Sequence, residues 1–341
     1  MHTTPRAMVV LALILASSCS LGGAPSTIAE SSPTASPTKA LACKLPAMSA
    51  IDLARGDNPA AGGFVTIPGG QFTPDPRAAA AGAGRPVYDA AIDGWLPKPM
   101  GDSWHSIDLH LLAPDGLSYV YESAKYGPTN PNGPSGPPIS LAVHVVNLRN
   151  GSDRVVYESG TSFLDTVGYA PPIIFLTPIC FECGAGGSSL WTLDERTGSL
   201  RKISDLSSYW SIAGGAAWGG VTTTTSSMDR LVRVDVDGTV TTWLMQPGVD
   251  LRLLAIGSDG SALVTAQRSN SETVWRVTQP MKGEEVFGVA SGGLSGAFSD
   301  RYGTWIGGAQ SGDGAGIFLY TRTRGLQKMS DFPGVPLGGC V

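Results

Sequence analysis

The sequence predicts an all-β chain of the β-propeller class, and three observations carry that expectation. A strand–turn–strand unit with a glycine at its turn recurs along the chain. The turn glycines Gly151, Gly198, Gly238, Gly283 and Gly325 are 47, 40, 45 and 42 residues apart, the length of a four-stranded blade. Composition agrees: 45 glycines, 15% charged residues and scattered tryptophans suit short strands joined by tight turns rather than helices.

The elements follow in chain order. Met1 to Arg6 carries one arginine, and the ten-residue apolar run Ala7 to Ala16 leads to Ser17, Ser18 and Cys19. That run has the length of a signal-peptide core and is too short for a permanent bilayer-spanning helix. Small residues directly before a cysteine resemble the bacterial lipobox, in which the cysteine is acylated and becomes the mature N-terminus. Residues 1–18 are therefore expected to be a lipoprotein signal peptide and Cys19 the lipidation site. The resemblance implies an extracytoplasmic chain held at the cell membrane by its N-terminal lipid; the alternative is a secreted chain with an incidental cysteine. Residues 19–42, with Ser31, Ser32, Pro33, Thr34, Ala35, Ser36, Pro37 and Thr38, are poor in large apolar side chains and read as a disordered tether.

The remaining residues, 43–341, are expected to form the propeller. The repeating hairpins are Val143 to Leu148 with Arg154 to Tyr157, and Leu190 to Asp194 with Leu200 to Ile203. Leu231 to Asp235 with Val240 to Leu244, Val274 to Val277 with Glu285 to Phe287, and Ile317 to Tyr320 with Leu326 to Met329 complete the set. A second hairpin precedes most of them. Leu109 to Ala113 turns at Pro114, Asp115 and Gly116; Leu251 to Ala255 turns at Ser258, Asp259 and Gly260; Ala297 and Phe298 turn at Ser299 to Gly303. Asp-Gly supplies the positive φ that tight hairpins require. These repeats make five blades from about Ser106 onward. The strand candidates Phe64 to Ile67, Gly70 to Phe72, Val87 to Asp89 and Gly94 to Leu96 are assigned to a divergent first blade. Six four-stranded blades result, with five or seven as alternatives. The pattern resembles TolB-like six-bladed propellers, in which a strand pair ends near a Pro-Asp-Gly turn. That resemblance covers nearly all of the mature chain and concerns architecture alone, since propellers share it across unrelated functions.

With Cys19 acylated, Cys43, Cys180, Cys183 and Cys340 remain, an even number suited to an oxidising compartment. Closing a propeller brings its two ends together, which predicts a Cys43–Cys340 disulfide. Cys180 and Cys183 are then expected to pair as a loop disulfide. Their C-x-x-C spacing lacks the helix start that stabilises a redox thiolate.

Chemistry-bearing motifs are scarce. His105, Asp108 and His110 are close in sequence, but in a strand Asp108 and His110 would share one face and His105 the other. No metal site and no cofactor are therefore expected. His144 falls within an apolar strand and reads as a packed or edge residue. No serine has glycine at both −2 and +2, so a nucleophile elbow is missing. Removal of the signal peptide leaves 22 basic against 28 acidic residues with no basic cluster, which argues against nucleic-acid binding. The innermost strands are read as Asp165 to Gly168, Ser211 to Ala216 and Gly292 to Ala297, small residues suited to a crowded axis. Asp165, Tyr209, Trp210, Asp250 and Arg252 are the polar or aromatic candidates for ligand binding at the funnel rim. The function expected is a non-enzymatic surface module for a protein, peptide or glycan. The alternative is a propeller lyase or hydrolase acting from the central funnel.

Overall fold

Among the described residues, six antiparallel sheets of three or four strands succeed one another along the chain, with one two-stranded hairpin besides. The computed structural model describes residues 41–50, 62–80, 87–96, 109–127, 138–161, 164–179, 189–223, 227–269, 271–290, 293–294, 296–308 and 315–341. The expected signal peptide, Cys19, the tether up to residue 40, His105, Asp108, Cys180 and Cys183 lie outside the described residues.

Four blades are built from consecutive hairpins. The third comprises Leu164–Ala170, Ile173–Pro178, Leu190–Asp194 and Ser199–Ser204. The fourth comprises Trp210–Ala213, Ala216–Val221, Arg230–Val234 and Val240–Met245. The fifth comprises Asp250–Ile256, Ala262–Arg268, Ser271–Gln279 and Lys282–Ala290. The sixth comprises Gly296–Asp300, Gly303–Gly307, Ile317–Thr321 and Gly325–Ser330. In each, neighbours in sequence are neighbours in the sheet. Gly151, Gly198, Gly238 and Gly325 adopt the expected positive φ. Gly283 does not turn the chain: Met281 holds the positive φ, and Gly283 lies within the following strand. The expected strand Ser211 to Ala216 is in fact a hairpin, turned by Gly214 and Gly215 at φ 59° and 73°. Two successive positive φ angles make the primed turn that matches strand twist, and glycine adopts them without steric cost.

The second blade comprises Ser118–Tyr126, Pro138–Asn147 and Ser152–Ser159. Its inner strand is reduced. Where Leu109 to Ala113 was expected to be extended, Leu109–Leu111 forms a 3-10 turn and Leu112 makes a single bridge to Tyr119.

The first blade departs most from expectation. It takes Cys43–Ser49, Gly63–Ile67 and Phe72–Pro74 from the N-terminal side and Gly334–Pro336 from the C-terminus. Ala47, Met48 and Ser49 pair with Pro336, Val335 and Gly334, so the ring closes by strand pairing. Lys44 and Val341 exchange backbone hydrogen bonds of 2.8 and 3.0 Å, and the expected Cys43–Cys340 disulfide joins the same ends at a Cα–Cα distance of 5.7 Å. The candidates around residues 87–96 are not blade strands. They form the hairpin Tyr88–Asp89 with Gly94–Trp95. Its Tyr88 and Trp95 pack with Met48, Val335 and Leu337, while Val87 and Leu96 join the core of the second blade. The hairpin thus bridges the first and second blades.

From the second blade through the sixth and on to the first, successive blades meet through their first strands. A β-carbon at Gly168 would stand 2.2 Å from Ile212, so glycine permits the approach of the third blade to the fourth.

Candidate functional site

The first strands of the fourth, fifth and sixth blades, together with His110 of the second, surround a cavity of about 910 Å³. One wall is polar and belongs to the fifth blade. Arg252 lies opposite Thr265, and Gln267 opposite Glu272, so these side chains share one sheet face. Apolar residues, among them Leu253, Leu294 and Phe298, complete the lining. Apolar surface with a few polar groups converging on it is the usual construction of a ligand pocket.

Two charges dominate the polar wall. Glu272 is buried, and one carboxylate oxygen accepts a 2.9 Å hydrogen bond from Leu294 N at the entrance to the sixth blade. Burial raises its pKa above the ordinary carboxylate value, while the Leu294 amide and the positive charge of Arg252 oppose that rise. Glu272 is therefore committed to holding two blades together. Arg252 is exposed and lies near enough to Glu272 for their charges to interact. Its guanidinium makes no ion pair among the described residues. A guanidinium with five donors in a cavity wall is suited to a carboxylate or phosphate.

Of the five rim candidates, Arg252 lines the cavity and the other four are placed elsewhere. Trp210 is buried, and its indole packs among Phe175, Ile203, Ile212 and Val232 in the core between the third and fourth blades. Its aromatic side chain among small residues makes it a rim candidate in the sequence; alternation along the strand turns it inward. Tyr209, its neighbour, is 61% exposed. Asp250 accepts a 2.7 Å hydrogen bond from Met228 N and so ties the first strand of the fifth blade to the segment that precedes Arg230–Val234. Asp165, half-buried, lies beside the buried Glu122 of the second blade, which accepts a hydrogen bond from Thr166 N. Burial first, and the negative charge of Asp165 second, push the Glu122 carboxyl up to about 8.

Thr265, Gln267 and Glu272 were not anticipated. Each stands on a second or third strand, and only cross-strand register brings them beside Arg252. Among the described residues no group of three His, Cys, Asp or Glu side chains is arranged to hold a metal. No described helix is long and apolar enough to cross a membrane.

No protein-family model and no curated protein matches the sequence. Among solved structures, the chain is similar to the acylaminoacyl peptidase of Pyrococcus horikoshii, at 12% identity and a TM-score of 0.52. That similarity covers 85% of this chain and 53% of the peptidase. The fold is a β-propeller. TolB from Acinetobacter baumannii matches this propeller at 12% identity and a TM-score of 0.43, over 87% of this chain and 67% of TolB. The β-propeller domain of the Trilobed protease from Pyrococcus furiosus matches at 12% identity and 0.41, over 64% and 69%. The propeller spans about half the length of the peptidase, and at this identity the likeness is one of architecture.

Proposed function

We propose that the chain is an extracytoplasmic lipoprotein whose propeller binds a protein, peptide or glycan ligand through an acidic group of that ligand. The observation that carries this reading is Arg252, an exposed guanidinium in the wall of the 910 Å³ funnel cavity that makes no ion pair among the described residues. Glu272 interacts with Arg252 through charge but makes no ion pair with it among the described residues, so an acidic group of a ligand would complete a salt bridge there, and the apolar lining would bury an apolar portion. Glu272, a buried carboxylate lining the cavity, already accepts a hydrogen bond from a backbone amide, which favours binding over acid–base chemistry at this place. Cys19 after small residues, followed by a Ser/Thr/Pro-rich stretch, supports the membrane anchor.

One set of variants of the full chain tests both halves. Purified protein is titrated with oligopeptides bearing a free C-terminal carboxylate, with the same peptides as amides, and with acidic and neutral oligosaccharides. At least one acidic series should bind, and Arg252→Ala should weaken it tenfold or more, because a charge-assisted contact of about 1.5–3 kcal/mol is lost. The melting temperature should barely move, since Arg252 is a surface residue of its strand. Binding that ignores the ligand's charge, or survives Arg252→Ala, refutes the funnel reading. In cells, Cys19→Ala should move the chain out of the membrane fraction; unchanged fractionation refutes the anchor.

A further inference from the structure

Away from the funnel, three side chains from three adjacent strands of the second blade meet on one sheet face. Ser123 lies on Ser118–Tyr126, His144 on Pro138–Asn147 and Asp153 on Ser152–Ser159. Tyr121 stands opposite His144, Ser123 opposite Ala142, and Val146 opposite Asp153. Alternation along each strand then puts Tyr121, Ser123, His144 and Asp153 on the same face.

The distances connect them in series. Ser123 Oγ is 2.8 Å from His144 Nε2, and His144 Nδ1 is 2.9 Å from Asp153 Oδ1. The carboxylate oxygen accepts from Nδ1, and in the tautomer that carries its proton there Nε2 presents a lone pair. In that tautomer the Ser123 hydroxyl donates to His144. Tyr121 fixes the arrangement from a fourth direction. Its hydroxyl donates to Asp153 Oδ2 at 2.6 Å, and its ring stacks on the imidazole at 4.4 Å with an 18° interplanar angle. The group is open to solvent: the Asp153 side chain is 44% exposed, His144 14%, and Ser123 is half-buried.

A nucleophile hydrogen-bonded to a base, with the base oriented by a carboxylate, is the arrangement that activates serine in covalent catalysis, and it is recognised by geometry rather than chain order. We propose that Ser123, His144 and Asp153 form a nucleophilic serine site, separate from the funnel, that reacts with small acyl esters. Ser123 Oγ attacks the ester carbonyl carbon while its proton passes to His144 Nε2. The tetrahedral adduct collapses, the bond to the leaving alcohol breaks, and that oxygen takes the proton from Nε2. Water repeats the sequence on the acyl-serine, releasing the carboxylic acid and restoring the hydroxyl. Ser123 and His144 touch the reacting atoms; Asp153 and Tyr121 are positioning residues.

A fluorophosphonate probe tests the site directly, since the Oγ–P bond forms, the P–F bond breaks, fluoride leaves and the proton goes to His144. The full chain is incubated with probe and the modified peptides are mapped by mass spectrometry. Ser123 should carry the adduct ahead of the other serines. His144→Gln should slow labelling by about 10²–10⁴-fold, the usual contribution of a general base. Asp153→Asn should slow it as well, and Asp153→Glu should restore most of the rate. Circular dichroism on each variant identifies any that fail to fold. An unmodified Ser123 in the wild-type chain, or labelling in folded His144→Gln at the wild-type rate, overturns the proposal.

Discussion

The fifth blade and the first blade have nearly the same strand order and opposite origins. The four strands of the fifth run without interruption from Asp250 to Ala290, each paired with the next in sequence. The first blade joins residues from both ends of the chain, and its innermost strand arrives last. The fifth can form from short hairpins, whose closure entropy is small; the first must close a loop of almost the whole domain. The seam is correspondingly reinforced. A disulfide, the reciprocal Lys44–Val341 hydrogen bonds, and a 2.6 Å hydrogen bond from Ser330 Oγ to Gly70 O all cross it. What local turns achieve in the fifth blade, covalent and long-range contacts must achieve in the first.

If that contrast is right, the seam is where stability is most concentrated. Trp305 is fully buried with Leu45, Val65, Ile317 and Cys340, where the sixth blade meets the first. Its Nε1 donates at 2.8 Å to Asp300 Oδ2, the same oxygen that accepts Cys340 N at 2.8 Å. Trp305→Ala should cost about 3–5 kcal/mol in urea unfolding, through the cavity left and the latch released. A loss below about 1 kcal/mol would break the comparison.

Next in size is the clasp itself. The double variant Cys43→Ser, Cys340→Ser should lose about 2–4 kcal/mol, because the cross-link restricts the unfolded chain over a separation of 297 residues. Addition of a thiol reductant to the wild type should produce a similar loss, and no further loss in the double variant. An unchanged unfolding midpoint would show that strand pairing alone holds the ring.

A pH dependence sharpens the contrast further. Glu122 ties the second blade to the third through Thr166, and its carboxyl is raised to about 8 by burial and by Asp165. A carboxyl whose folded pKa exceeds its unfolded value binds more protons when folded. Its contribution is therefore present at low pH and lost as pH rises from about 4.5 toward 8. Glu122→Gln should flatten this slope, whereas the seam variant without Cys43 and Cys340 should keep it. A slope that survives in Glu122→Gln would assign the dependence to another group.

Legibility followed the range of the interactions concerned. Hairpins with a glycine or Asp-Gly turn were readable because positive φ is a property of one or two residues, as at Gly198 and Gly260. The turn at Met281 escaped because nothing in a methionine announces that conformation. Leu109 to Leu111 has the alternation of a strand but forms a 3-10 turn. The candidate sites were less readable. Arg252 could be singled out as a charged residue on a strand expected at the rim, whereas Glu272 and Gln267 required the register of three strands. His144 looked like a packed residue of an apolar strand. Its partners Ser123 and Asp153 stand 21 and 9 residues away, at no spacing that strand periodicity marks.

By itself the sequence determined the period of the blades, the positions of most turns, and the pairing of Cys43 with Cys340 once a closed ring was assumed. Those follow from backbone preferences and alternation that act within a few residues. Tertiary structure alone decided which strands complete the first blade, that the hairpin around Tyr88 and Trp95 fills the gap beside it, and which polar side chains face one another. Contacts such as Ser330 to Gly70 join residues 260 apart. Their existence depends on the summed twist and packing of all six blades, a quantity that no local stretch of chain contains.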